Sequence, residues 1–383
     1  MKNFHIFLLS CLLPLAFGCQ SINESVIANP GDRPDSTTTE AGLWMQMEKI
    51  EAQSKTSGNR VKDEKLNSYI EQLVCKLAGE YCSDIRVYVL KVPAFNATMA
   101  PNGMMHVWTG LLLRVQNEAQ LATVLGHEIT HYIKKHSLKR YVDTKNKVNT
   151  FTILNLGAGG LLTPVLMLGT IGSIQAYNRD HEREADQGGL KLLSEKGYSL
   201  EGAPEVWENI VKEQEASKKD TPSLFLSSHP QSTERIQNLR TEAKKLKTSS
   251  TPRIGESDYL QHILPHRSDW FLQELSLKNF KEMEIVLQNL AFSPLHKGEL
   301  HFLKGELLRK QREKDFETKA IAQYQKAIDL DANDPRPLKA IGLLLLKTDQ
   351  KQRASENLKK YLSLKPDAED RSIINSYLKE LNV

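Results

Sequence analysis

Gly126-His127-Glu128-Ile129-Thr130-His131 constrains this chain more than any other stretch, because its chemistry asks for a helix and its surroundings ask for that helix to be packed. In a helix over 120–135 the two histidines lie one turn apart on one face, and Glu128 projects about 100° further round. Leu121, Val124, Leu125 and Ile129 recur at helical spacing, while Asn117 and Glu118 supply an N-cap and an acid in the first turn. The histidines are therefore expected to be half buried. Two imidazoles so placed can share a zinc ion, which lowers the pKa of bound water to about 7 within reach of Glu128 as general base. These residue types point to metal-assisted hydrolysis of a peptide bond. HExxH alone also arises on solvated helices, so other parts of the chain must support it.

A site of this class needs a third protein ligand. The metzincin arrangement would place glycine at 134 and histidine at 137, where this chain has Lys134 and Ser137. His136 falls off the ligand face of a continuous helix and reads as a surface histidine. Further along, Glu182 and Asp186 are four residues apart in an acidic helical stretch. One of the two can bind the metal while the other orients a ligating histidine, the alternative being a charged, solvated face.

With 383 residues, 40% hydrophobic and 26% charged, the chain is long enough for two domains with separate cores. A net charge of +4 gives no footprint of a nucleic-acid-binding specialist. Residues 1–18 read as a lipoprotein signal peptide: Lys2 precedes an apolar run too short to span a membrane, and Leu15-Ala16-Phe17-Gly18-Cys19 resembles the bacterial lipobox. Cys19 is then the lipidated residue, a plain signal peptide with an incidental cysteine being the alternative, and Gln20 in place of Asp would in enteric-type bacteria imply sorting to the outer membrane. Residues 19–42 are polar and expected to be a flexible tether.

In an oxidising compartment Cys75 and Cys82 are expected to pair, with two buried free thiols as the alternative. Continuous helix would hold their Cα atoms about 10.5 Å apart, beyond disulfide reach, so the helix should stop near Gly79. Residues 85–90 and 104–109 read as strands. Residues 151–176 carry no charge and reach transmembrane length, but five glycines and Pro164 favour a mobile or buried apolar segment. If they did span, the chain would be an intramembrane protease.

HExxH followed by Glu182-Arg183-Glu184-Ala185-Asp186 resembles the zinc metallopeptidase family of the CAAX prenyl endopeptidases and HtpX-type proteases. Asn96-Ala97, Ala100-Pro101-Asn102-Gly103 and Val107-Trp108-Thr109-Gly110 are similar to the segment before its metal helix, and His229-Pro230 with Glu234-Arg235 to its HPxxxER stretch. The resemblance implies one zinc per chain held by His127, His131 and Glu182, with Glu128 as base and Asp186 orienting a ligand. It assigns His229 to oxyanion stabilisation or to a closed state near the metal, and Arg235 to positioning substrate or carboxylates. Residues 104–109 could offer substrate an edge to pair with.

The fold expected is α+β, mostly α: a gluzincin-type metalloprotease domain with a small sheet over 43–247, a linker at 248–256, and an all-α tetratricopeptide-like domain over 257–383. In that last part Ala320, Tyr324 and Ala327 recur thirty-four positions later as Ala354, Leu358 and Tyr361. Such repeats present a concave surface for peptide or protein partners. Lipid tether, protease and repeats together resemble periplasmic members of the family that degrade misassembled outer-membrane proteins and help mature ones assemble. The expected substrates are unfolded or misassembled envelope proteins, with the outer-membrane assembly machinery as a partner of the repeats and the lipid anchor as the membrane contact. A chaperone or adaptor with a latent metal site is the alternative.

Overall fold

The computed structural model describes residues 28–147, 177–219, 222–230, 233–247, 249–291, 296–348 and 350–381. The expected signal peptide, Cys19 and the apolar stretch 151–176 lie outside them. Among the described residues no helix is long and apolar enough to cross a membrane.

Helix α1 (Thr39–Thr56) begins where the Thr38 hydroxyl accepts from the Ala41 N–H, and α2 (Glu64–Ala78) where Asp63 accepts from Leu66. Leu66, Ile70, Leu73, Val74 and Leu77 form the buried stripe of α2. The helix ends at Gly79, whose φ of 60° suits a residue without Cβ. A 3-10 turn over Gly79–Asp84 then carries Cys82 back to Cys75, and the two form a disulfide with Cα atoms 4.5 Å apart.

Strand β1 (Arg86–Leu90) pairs in parallel with β3 (Met104–Trp108), and the three-residue β2 (Ala97–Met99) pairs antiparallel on the other side of β3. The 104–109 stretch is therefore no edge: β3 is the central strand, with its backbone engaged on both sides. The edge positions belong to β1 and β2. A short α3 (Thr109–Arg114) leads into α4 (Glu118–Ile133), whose cap Asn117 accepts from the Gln120 N–H at 2.9 Å.

Every residue of α4 from Glu118 to Tyr132 is buried, so the expected half-burial of its histidines is an underestimate. The reason is position: α4 packs against α2, β2 and α5 (His136–Lys147), and also against α6 (Arg179–Glu195) and α7 (Ala203–Ser217) further along the chain. Two segments expected to be loose also dock onto the body. Ala28 is buried and donates its N–H to Ile133 at 2.9 Å, and Gly31 N–H reaches Asp84. The linker, read from its Thr, Ser and Pro content, becomes a strap. Ile254 and Gly255 carbonyls accept from the N–H groups of Ala119 and Glu118 at 3.0 and 3.4 Å, satisfying donors that the first turn of α4 leaves open.

Beyond the strap lie α10 (Glu256–Ser276), α11 (Phe280–Leu290), α12 (Lys297–Gln311), α13 (Phe316–Leu330), α14 (Pro335–Lys347), α15 (Lys351–Leu364) and α16 (Arg371–Glu380). Helices α12 with α13, and α14 with α15, form two hairpins. In them the repeating positions Ala320, Tyr324, Ala327 and Ala354, Leu358, Tyr361 are all buried. The observed class is mostly helical with one three-stranded sheet.

This helical array is bolted to the body through Arg114 at the end of α3. Its guanidinium donates to Glu213 on α7 at 2.7 Å and, with both remaining nitrogens, to Glu274 on α10 at 2.7 Å. One buried cation faces two buried carboxylates, so one acid is short of a full partner. Burial pushes Glu213 up to about 7, against the attraction of Arg114. A carboxyl raised above its unfolded value near 4.3 keeps a proton in the folded state that the unfolded chain has released. Stability therefore falls as pH rises between about 4.5 and 7. Urea unfolding should show the wild type losing stability relative to Glu213→Gln across that window, and parallel profiles would exclude this assignment.

Candidate metal centre

Helix α4 presents His127, Glu128 and His131, and α6 crosses it with Glu182 and Asp186. The crossing is close because small residues meet there: a Cβ on Gly189 of α6 would stand 3.0 Å from the backbone nitrogen of His127. Helix α6 starts at its cap Asn178, which accepts from the His181 N–H at 2.8 Å, so Glu182 points inward within the first turn. A third wall comes from α8 (Leu224–Ser228), whose C-cap is His229, and from α9 (Thr233–Lys245), which carries Arg235.

His127, His131, Glu182 and His229 converge with one ligand atom each, all buried and within 4.8 Å of one another. The Nε2 atoms of His131 and His127 are 3.0 Å apart, and His127 Nε2 lies 3.3 Å from His229 Nδ1. Glu182 Oε1 is 3.4 Å from His131 Nε2 and 3.0 Å from His229 Nδ1. Ligands at about 2.0–2.1 Å from a tetrahedral zinc are separated by roughly 3.3 Å, so these spacings fit such an ion and the N and O donors suit it. The Oε1 atom of Glu128 is buried, has no hydrogen-bond partner, and lies 3.5 Å from His229 Nε2.

The supporting charges are as ordered as the ligands. Asp186 Oδ1 sits 3.1 Å from His127 Nδ1, which leaves Nε2 for a metal. Arg235 donates to both Asp186 oxygens at 2.6 and 2.8 Å and pairs with Glu182. Burial opposes the charge on Glu182, but His229 and Arg235 outweigh it and hold its carboxyl well below the usual range. Asp186 is lowered in the same way, burial being outweighed by Arg235. Glu128 goes the other way, raised by burial, and burial takes His131 well below its ordinary value.

The structure thus brings together His127, His131, Glu182 and His229, with Glu128, Asp186 and Arg235 around them. It corrects His136. That residue is fully buried and lies 2.9 Å from His131, since α4 ends at Ile133 and Lys135 turns the chain at φ 49°. Helical phasing beyond Ile133 consequently does not apply. Three aromatic walls were not signalled by any motif. Tyr177 stacks on His131 at 4.0 Å and bonds Ser137, Trp207 packs 5.5 Å from His127, and Phe225 stacks between Trp207 and His229. For Trp207 and Phe225 the available signal was a large apolar residue on a short amphipathic helix, which any core supplies.

Residues 60–243 match the family described as Peptidase family M48. The putative beta-barrel assembly-enhancing protease of Vibrio cholerae is 28% identical over 200 residues, 48% of this chain and 40% of that protein. The mitochondrial metalloendopeptidase OMA1 of Arabidopsis thaliana is 35% identical over 156 residues, 40% of this chain and 30% of its own length. The beta-barrel assembly-enhancing protease of Escherichia coli is 24% identical over 225 residues, 55% of this chain and 46% of the relative. The match spans less than half the length of each of these relatives. The family match includes the whole buried His and Glu group: residues 60–243, just under half of this chain, are similar to Peptidase family M48.

Proposed function

We propose that this chain is a zinc-dependent endopeptidase of the bacterial envelope that cleaves unfolded or misassembled envelope proteins. The observation that carries the reading is the buried, convergent set of His127, His131, Glu182 and His229 with the Glu128 carboxylate beside it, one oxygen of which is buried without a hydrogen bond. A zinc ion held there supplies Lewis acidity toward a carbonyl and toward water. Glu128 takes the proton of the attacking water and delivers it to the leaving amine. Asp186 and Arg235 keep His127 and Glu182 oriented. Substrate runs along β2, one of the two edge strands, whose backbone groups accept varied sequences.

His229 is the fourth member of the convergent set, which favours a latched resting state. When it swings out, its imidazole remains at the rim to donate to the oxyanion. The relatives named beta-barrel assembly-enhancing protease support an envelope substrate and a link to outer-membrane assembly. In this reading the chain is anchored by lipid at Cys19 in the periplasm, and tetratricopeptide-like repeats over 257–383 recruit clients or the assembly machinery.

The direct test is metal analysis of the purified protein together with cleavage of an unfolded protein. The wild type should carry about one zinc per chain and Glu182→Gln should bind it more than about 100-fold more weakly, a larger loss than outer contacts usually produce. A wild type that binds no zinc ends this reading.

A further inference from the structure

His136 is the one histidine among the described residues that touches the ligand group without offering it a nitrogen for metal, and both of its ring nitrogens are engaged. Its Nδ1 lies 2.9 Å from Nδ1 of His131, and its Nε2 lies 3.0 Å from Glu184 Oε2. His131 turns Nε2 toward His127 and Glu182, at 3.0 and 3.4 Å, so that nitrogen is the one available to a metal. The ring's proton then sits on Nδ1 and needs an acceptor. His136 Nδ1 is placed to accept it, which requires His136 to be neutral with its own proton on Nε2. Glu184 accepts that second proton, while Lys134 Nζ holds the other carboxylate oxygen at 2.9 Å.

We infer that His136 and Glu184 are positioning residues for the metal, with a carboxylate at the protein surface fixing the tautomer and ring angle of His131 through one intervening imidazole. This rests on the reading of His131 as a ligand. His127 has the usual direct carboxylate partner in Asp186, whereas His131 obtains its carboxylate at second remove, through two hydrogen bonds in series. The geometry is built for it. Lys135 adopts a left-handed φ of 49° to bring His136 inward, the His181 ring stacks on His136 at 4.4 Å, and Tyr177 stacks on His131. Without Glu184, the tautomer of His136 that carries its proton on Nδ1 becomes competitive. Two N–H groups would then face each other between His136 and His131, and the ligand would lose its orientation.

The test is zinc affinity of the full chain, measured by competition with a chromophoric chelator, for wild type, Glu184→Ala, Glu184→Gln and His136→Phe. Glu184→Ala and His136→Phe should each weaken binding about 10–100-fold. Glu184→Gln should retain most of the affinity, because its amide oxygen still accepts from His136. Long-range proton–nitrogen NMR should find the zinc-bound wild type with the His136 proton on Nε2 alone, and Glu184→Ala with a mixture. Packing alone predicts neither the glutamine rescue nor the tautomer change. The Glu184 side chain is 42% exposed, so Glu184→Ala reports even if His136→Phe fails to fold. Zinc binding by wild type with unchanged affinity in Glu184→Ala overturns the inference. No zinc on wild type would instead overturn the metal-centre reading beneath it.

Discussion

Glu128→Gln should abolish cleavage of an unfolded protein, by about 100- to 10,000-fold, the range that a positioned general base contributes, and leave zinc content unchanged. The separation of the two effects follows from the geometry. The convergent ligand group comprises His127, His131, Glu182 and His229, and Glu128 stands beside it with a buried oxygen that no protein donor satisfies. Glutamine has nearly the same shape, so the packing of α4 against α6 and α7 is kept. What it lacks is an oxygen able to accept and release a proton near neutral pH. Zinc analysis and a cleavage assay on the same preparation check both halves. Cleavage within a few-fold of wild type, with zinc retained, would remove Glu128 from the chemistry. The same variant separates enzyme from adaptor, because an adaptor acting through residues 257–383 would not need Glu128 and should keep its activity in it.

The parts of this site that could be read in the sequence are those set by local periodicity. Two histidines and a glutamate on α4, or Glu182 and Asp186 on α6, declare themselves because a helix converts spacing into direction. His136 could not be read that way, since the termination of α4 at Ile133 and the turn at Lys135 interrupt the phase on which the reading depended. His229 and Arg235 lie about a hundred residues from α4 and have no local pattern, so only the family resemblance pointed to them. Strand β2 was missed because Ala-Thr-Met is too short to show alternation, and without it β3 could not be recognised as a central strand. The strap at Ile254 and Gly255 escaped for a different reason. Its bonds to Glu118 and Ala119 are backbone to backbone and leave no mark on residue type. The thirty-four-residue period in the C-terminal part was legible because hairpins that pack alike must repeat the same buried small and large positions.

Replacing Arg235 by methionine should destabilise the metal-free protein by about 3–5 kcal/mol, the range for removing one partner of a buried ionic cluster. Arg235 is 6% exposed and its guanidinium joins Asp186 and Glu182, with Glu128 also buried close by. Without it, the carboxylates on α6 face one another and the centre with no fixed cation, and either they take up protons or α6 moves away from α4. Against a typical total stability of about 5–15 kcal/mol, this is a large fraction. Bound zinc would change the balance, because two positive charges at the convergence of Glu182, His127 and His131 would replace much of what the arginine supplied. The deficit should therefore shrink when unfolding is repeated with zinc bound. Lysine at 235 should recover only part of it, since one ammonium cannot reproduce the fork that spans both Asp186 oxygens and Glu182. Urea unfolding of wild type, Arg235→Met and Arg235→Lys, each with chelator and with zinc, supplies the comparison. A metal-free Arg235→Met protein within about 1 kcal/mol of wild type would mean that the carboxylates are already neutral, and the charge-balanced picture of the centre would have to be abandoned.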